Sequence, residues 1–459
     1  MILRFRDLLR GGCGATPMDT TLKELSKDEL IDIVLGKDQQ LKRKDEEIER
    51  LKKELRKYKN PNTPPSAHPH LKPFVRSTKP AGKRGAPNGH PGTTRPKNLA
   101  DEQRYITAKE CPGCQSHNIK LIGQKKQQIE ELPPDIKPNI IDVCRDIFQC
   151  LHCKLKFTSR DGKTPLQGRF GTHLMVLVLF LKFIVRGVLR KTTCFLDASF
   201  TLKLAPASVQ AIIARAAEAA ENEYTTLKQR IRTARILYID ETSFSVLGKN
   251  WWVWAFRSDT DLLIVIRNSR GNNVLEEILT QAYKGIVVCD GWRAYDFLKN
   301  ASIQRCWAHL LRKTKELTTI PGTHLHEKIT KLFDEIKDFN TQEKTEKQRL
   351  KKYEQMTKKL KKLTTYYGKY EECLAVTKYI NFHLNQWLTC IRLPGVQPTN
   401  NYAEQAIRET VLIRKIIGAF RSETGTHIYE TLASLFTTWQ IQKKDLKQEL
   451  HRMLTTNLC

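Results

Sequence analysis

The spacing of apolar positions changes along the chain, and each change predicts a different element. Val34, Leu41, Ile48 and Leu55 recur every seven residues with Leu51 and Tyr58 on a second seam, so residues 20–59 read as a short coiled-coil helix. Lys37 and Lys44 fall on that second seam in the earlier heptads and make the pairing modest. The repeat still favours self-association, as a homodimer or higher assembly, over a lone solvated helix. Leu174–Val185 is the longest apolar stretch, 12 residues interrupted by Lys182. A membrane span needs about 20, so this is a core helix and no membrane partner is expected. With Lys191–Phe200 and Ala207–Asn222 it makes a helical domain over 166–230. SVQAIIARAAEAAEN fits the second helix of a helix-turn-helix, but it offers few base-reading side chains, so packing is the preferred role over DNA binding.

From Ala234 the period becomes two. ILYID, WWVWAFR and DLLIVIR, separated by Gly248, Asn250 and Ser258-Asp259, predict a three-stranded antiparallel meander. A helical stretch, Asn272–Ala282, leads into GIVVCD, and this helix-then-strand order predicts a strand parallel to the first. Ser302–Cys306 is another short strand, followed by a basic helix from Trp307. Residues 321–395 form a Lys-rich helical insertion, after which Pro398, Asn400 and Asn401 start a further helix. The fold class is thus α/β: a mixed sheet over 231–440 with a helical insertion, then a helical tail over 441–459.

Three acidic residues stand out in this frame: Asp240 ends ILYID, Asp290 ends GIVVCD, and Glu404 lies on the helix after the insertion. Two carboxylates about 4 Å apart repel by roughly 4 kcal/mol at an effective dielectric near 20, so a cluster of them calls for cations. Magnesium takes hard oxygen ligands and keeps positions open for water and phosphate. A pair of Mg²⁺ or Mn²⁺ ions held there suits displacement at phosphorus. The plainer alternative is two strand ends and a solvated helix carboxylate. Glu404 and Arg408 share a helix face, and a surface ion pair of about 0.3–0.5 kcal/mol explains that spacing as well as catalysis does.

Cys111-Pro-Gly-Cys114 and Cys150-Leu-His-Cys153 are two Cys-x-x-Cys knuckles separated by 35 residues. Four thiolates so paired suit structural tetrahedral zinc, and two extended runs split by Pro133-Pro134 fit a zinc ribbon over 101–165. The separation exceeds the usual roughly 15–20, so His117, Cys144 or His152 are candidates to substitute for a ligand, and a redox pair or unliganded thiols are the alternatives. The other cysteines of the 12 are scattered, which favours a reduced, cytoplasmic setting over a disulfide framework. The N-terminal MILRFRDLLRGGCGATPM lacks an apolar core with a cleavage site, so no secretory signal is expected, and Met18 offers a second start.

Charge narrows the partner. The balance of 78 basic to 49 acidic residues gives +29 before histidine, which points to an anionic partner, most often nucleic acid. Residues 60–100 are Pro- and Gly-rich with seven Lys or Arg, Lys83 and Arg84 included, and no Asp or Glu. Such a segment reads as a flexible arm that tracks phosphates, or as a solvated linker.

Asp240-Glu-Thr242 followed by GKNWWVWAF, Asp290-Gly-Trp-Arg-Ala-Tyr295, Cys306-Trp-Ala-His309 and Asn400-Asn401-Tyr-Ala-Glu404-Gln-Ala-Ile-Arg408 occur in that order. Together they resemble the insertion sequence sixty-six family of DDE transposases, a likeness running from the coiled N-terminus to about residue 440. The resemblance implies a ribonuclease-H-like catalytic domain with Asp240, Asp290 and Glu404 binding two magnesium ions. It also implies element-end and target DNA as partners, with accessory proteins of the same element and association with the nucleoid. His309 and Arg408 would assist near the phosphates, and Arg312 and Lys313 of the basic helix are further phosphate-contact candidates. Trp292 stands where a tyrosine is commoner, and Gln405 where an arginine usually follows the glutamate. The alternative is a catalytically inactive or domesticated DNA-binding relative.

Overall fold

The computed structural model of the protein describes residues 44–48, 50–51, 103, 106–110, 112–122 and 136–459. Residues 44–48 and 50–51 are helical and exposed. The rest of the heptad segment, the basic arm with Lys83 and Arg84, and Cys111 lie outside the described residues.

A short antiparallel hairpin comes first, β1 (Ile147–Gln149) and β2 (Lys156–Thr158), with Phe148 opposite Phe157. Three helices follow: α1 (Thr172–Phe183), α2 (Leu189–Phe200) and α3 (Pro206–Thr233). Proline in the first turn suits the start of α3. This helix runs on past Asn222, because Tyr224, Leu227 and Ile231 continue the three- and four-residue spacing and are buried. Its alanines 216, 217, 219 and 220 are buried as well, so this helix packs into the core.

The period-two segment forms β3 (Ile236–Val246), β4 (Lys249–Arg257) and β5 (Leu262–Arg267) as an antiparallel meander. The short helix α4 (Asn272–Ile278) ends sooner than its sequence pattern, with Thr280 taking a left-handed φ of 60° two residues on. It leads to β6 (Ile286–Cys289), then to a 3₁₀ turn at Arg293–Phe297 and β7 (Ser302–Arg305). The basic helix is α5 (Trp307–Lys315). The insertion comprises α6 (Ile320–Asn340), α7 (Glu346–Tyr367), α8 (Glu371–Phe382) and α9 (Thr389–Arg392), with a capping box of Thr345 and Gln348 starting α7. The chain closes with α10 (Asn401–Ile417), β8 (Ala419–Phe420), α11 (Glu423–Ile441) and α12 (Leu446–Leu458).

The sheet runs in the order β5-β4-β3-β6-β7, with β8 also pairing β3. β6 lies parallel to β3 and β7 parallel to β6, as the helix-then-strand order requires. Side chains on a strand alternate between faces. Leu237, Ile239, Trp254, Phe256, Val287 and Cys289 face one apolar cluster shared with α1, α3, α11 and α12. The helix α12 belongs to that core through Leu450, Met453 and Leu454. On the other face, Ile236, Tyr238, Ile286 and Val288 pack against the insertion. Phe244, Val246, Val253 and Ile264 pack against Ile407 and Ile413 of α10 in a third cluster.

The edge strand β5 is sealed by a helix instead of another strand. Its amides at Leu262, Ile264 and Ile266 donate to Thr438 Oγ1 (3.0 Å), Ser434 Oγ (2.8 Å) and Glu430 Oε2 (2.7 Å). Four residues of helix rise about 6.0 Å and two of strand about 6.6 Å, so side chains four apart on α11 meet alternate amides. Thr438→Val keeps the shape but strands the Leu262 amide, and Ser434→Ala does the same at Ile264. Each should lower unfolding free energy by about 1–3 kcal/mol, read from urea denaturation midpoints.

A candidate acidic active site

Asp240 shares its sheet face with Ile236, Tyr238, Phe244 and Val246, and so sits where the insertion-facing cluster gives way to the α10-facing cluster. There the edge of β3 has no strand partner among the described residues: β6 pairs it at Ile236–Tyr238 and β8 only from Ser245. Asp290 stands two residues beyond the last β3–β6 pair, Tyr238 with Val288, and therefore level with Asp240 and on the same face. Glu404 is in the first turn of α10, which packs over this gap. An opening where neighbouring strands part is the usual place for ligands in open α/β sheets.

The residue before each aspartate is fixed through one buried asparagine and one cysteine. The Asn400 side-chain amide donates to the Ile239 carbonyl (2.7 Å), and its backbone N–H points to Cys306 Sγ (3.2 Å). Cys306 N–H donates in turn to the Cys289 carbonyl (2.8 Å), and Trp307 N–H to the Pro398 carbonyl (3.0 Å). Fully buried Arg305 completes the frame, donating to the carbonyls of Asp290 (2.7 Å) and Trp292 (3.1 Å) and to Asp296 (2.6 Å). Gly291 is required beside it, because a Cβ there would run into the Tyr379 hydroxyl and ring of α8.

The charges are unbalanced. Burial, then the charges of Glu241, Asp290 and Glu404, push the Asp240 carboxyl up to about 8. Glu241 faces the opposite side and is raised by burial and by Asp290, against the pull of Tyr295 and Arg270. It accepts from the Tyr295 hydroxyl (2.6 Å) and from Arg270 (2.9 Å). Arg270 also approaches Asp290 (4.0 Å) and lies between the rings of Trp252 (4.7 Å) and Trp292 (4.4 Å). Trp292 also donates its indole N–H to the Arg270 carbonyl (3.1 Å) and its backbone N–H to Asp290 (2.8 Å). The tryptophan that departs from the commoner tyrosine thus clamps an arginine beside the site.

Glu404 pairs with exposed Arg312 (3.1 Å), while Arg408 is exposed and, among the described residues, makes no ion pair with Glu404. The shared face of Glu404 and Arg408 is therefore not an ion pair. Burial and then the Arg312 charge lower the pKa of His309, and its Nδ1 lies 3.8 Å from Glu404 with no hydrogen-bond partner. Lys313 lies over the Tyr379 ring at 4.9 Å. Among the described residues, the set of three ligand atoms lying mutually within 4.8 Å is Cys306, His309 and Glu404. Asp240, Asp290 and Glu404 face one opening but do not close to that distance: Glu404 turns to Arg312, and like charges hold apart.

Cys150 and Cys153 bracket the β1–β2 turn, where Lys154 N–H returns to the Cys150 carbonyl (2.9 Å). Backbone amides of Cys153 and His152 point at the Cys150 sulfur and lower its pKa. Cys114 is exposed in a turn, and its knuckle partner Cys111 is outside the described residues. The substitute ligands His117, Cys144 and His152 are all exposed, and His117 Nδ1 lies 3.2 Å from the Lys109 carbonyl.

Arg270, Arg305 and the Asn400 side chain, which hold the backbone and carboxylates here, carry no role in the sequence pattern alone. The Asp-Gly-Trp-Arg-Ala-Tyr run and the paired asparagines were the available signals.

Residues 167–428 match the family described as Transposase IS66 family, and the chain belongs to that family of enzymes acting on DNA. No curated protein matches the chain. Among the described residues, no helix is long and apolar enough to cross a membrane.

Asn400→Ala should destabilise the protein by about 1–3 kcal/mol in urea unfolding, since the buried Ile239 carbonyl loses its donor. Gly291→Ala should cost about 1–3 kcal/mol through overpacking against Tyr379, in the same measurement.

Proposed function

We propose that this transposase binds the ends of its element and cuts and joins DNA at a site built from Asp240, Asp290 and Glu404. The observation that carries this reading is the half-buried Asp240 carboxyl, pushed up to about 8 by loss of solvent and by the neighbouring acidic groups, at the point where the sheet opens. Such a group is paired poorly by the protein alone and suits hard divalent cations, Mg²⁺ or Mn²⁺, probed by oxygen ligands from all three acids. When bound, a pair of these ions lowers the pKa of an attacking water or 3′ hydroxyl and stabilises the leaving oxygen. The chain's own part is to hold the donors: Asn400, Cys306 and Arg305 fix the backbone beside Asp240 and Asp290. Arg312, Lys313 and Arg408 lie exposed on the two helices flanking Glu404 and supply positive charge for backbone phosphates. His309, neutral by burial, orients beside Glu404.

A ribonuclease-H-like assignment is supported by the strand order: numbering the sheet's strands from β3, it reads third, second, first, fourth, fifth, with the second antiparallel. The amide-supported Cys150 turn supports a structural zinc site with Cys111, Cys114 and Cys153. The net charge of +29 and the Lys83-Arg84 arm support phosphate binding along the duplex. A paired assembly through the heptad helix, with accessory proteins of the same element, and nucleoid association complete the proposal.

Asp240→Asn, Asp290→Asn and Glu404→Gln should each drop Mg²⁺-dependent cleavage of element-end DNA below about one hundredth of wild type while gel-shift binding persists. Normal cutting by these variants rejects the assignment. Mg²⁺ should raise the melting temperature of the wild type and not of Asp240→Asn, because the cation binds only the folded site. Replacing both Lys83 and Arg84 by alanine should make the slope of log affinity against log salt shallower by about two units, measured by fluorescence anisotropy.

A further inference from the structure

Glu404 belongs to two donor sets of different chemistry. Toward Asp240 its charge acts on the carboxylates of a hard oxygen set. Toward α5 it meets a thiol and an imidazole: Cys306, His309 and Glu404 each offer an atom within 4.8 Å of the other two. His309 Nδ1 is buried, has no hydrogen-bond partner among the described residues, and stands 3.8 Å from Glu404. Metal–ligand bonds of about 2.0–2.3 Å in a tetrahedron place donors roughly 3.3–3.8 Å apart, so the cluster needs only a small contraction. The amides of Asn400, His309 and Ala308 point at the Cys306 sulfur, but burial outweighs them and raises the thiol pKa, so the proton leaves only when a cation binds. Sulfur and imidazole nitrogen select zinc over magnesium, and solvent beside exposed Arg312 leaves room for a fourth, water ligand.

We propose that Cys306, His309 and Glu404 form a zinc-class site that switches the enzyme off by withdrawing Glu404 from the magnesium-binding carboxylates. Binding forms sulfur–, nitrogen– and oxygen–metal bonds, releases the Cys306 thiol proton to solvent and frees Arg312 from Glu404. No oxidation or reduction is involved. The switching role rests on Glu404 being catalytic as set out above; the binding site does not.

The test uses the full-length chain and cobalt(II), whose thiolate complexes absorb in the near ultraviolet. Wild type and Cys306→Ser are given the same zinc loading, and the cobalt spectrum of one is subtracted from the other, which removes the contribution of the Cys150 and Cys153 knuckle. The expected difference is a thiolate band saturating at one equivalent per chain. Glu404→Gln and His309→Gln, checked for native circular dichroism, should keep the band but weaken cobalt affinity at least about tenfold. Zinc added to a magnesium cleavage assay should inhibit the wild type reversibly on chelation. A null difference spectrum, or unchanged affinity in both Glu404→Gln and His309→Gln, overturns the site. A normal band with zinc-insensitive cleavage overturns the switch. If Asp240→Asn cuts DNA normally, the catalytic reading falls while the cobalt result stands on its own.

Discussion

One buried side chain holds together elements distant in the chain. Asn400 touches the carbonyl before Asp240 with its amide and the sulfur of Cys306 with its backbone, and Cys306 reaches the carbonyl before Asp290. These bonds are made in a water-poor interior, where losing a partner costs more than making the bond gains. The acidic residues therefore gather because their neighbours are fixed, not because they attract. Loss of solvent first, and then the charges of Glu241, Asp290 and Glu404, weigh against the charged form of Asp240.

The parts legible in the sequence were those encoded locally. Alternation gave β3, β4 and β5, and the apolar runs ending in Asp240 and Asp290 gave parallel neighbours with their acids on one level. The place of Glu404 followed from a helix restarting after the insertion. What escaped was encoded across distance. Arg270 reaches Glu241 and Asp290 from a loop after β5, and nothing near it in the chain marks it as different from other arginines. Length of helix was misjudged where weak periodicity continued, as at Tyr224, Leu227 and Ile231 in α3. The Glu404–Arg408 spacing permitted a pair, and a nearer competitor, Arg312, took the carboxylate.

The helical insertion is joined to the site by packing. Tyr379 of α8 fills the space that glycine leaves at position 291, and Lys313 lies over the same ring. Trp387 accepts through its carbonyl from the indole N–H of Trp307, the first residue of α5. Close-packed contacts of this kind transmit displacement instead of absorbing it. Whatever presses on the insertion will be felt at the Asp290 loop and at the helix that carries His309 and Arg312.

The ladder of Glu430, Ser434 and Thr438 along β5 has a counterpart at the opposite border, where Gln304 of β7 donates to the Trp387 carbonyl and accepts from the Cys390 amide. The Ile303 carbonyl of β7 also accepts from Thr389 Oγ1 (2.6 Å), so among the described residues helical segments occupy main-chain groups at both margins of the sheet. A sheet margin left bare invites edge-to-edge pairing with another copy of the chain. With these margins engaged, any contact between copies falls to helical faces and charged surface and not to strand pairing.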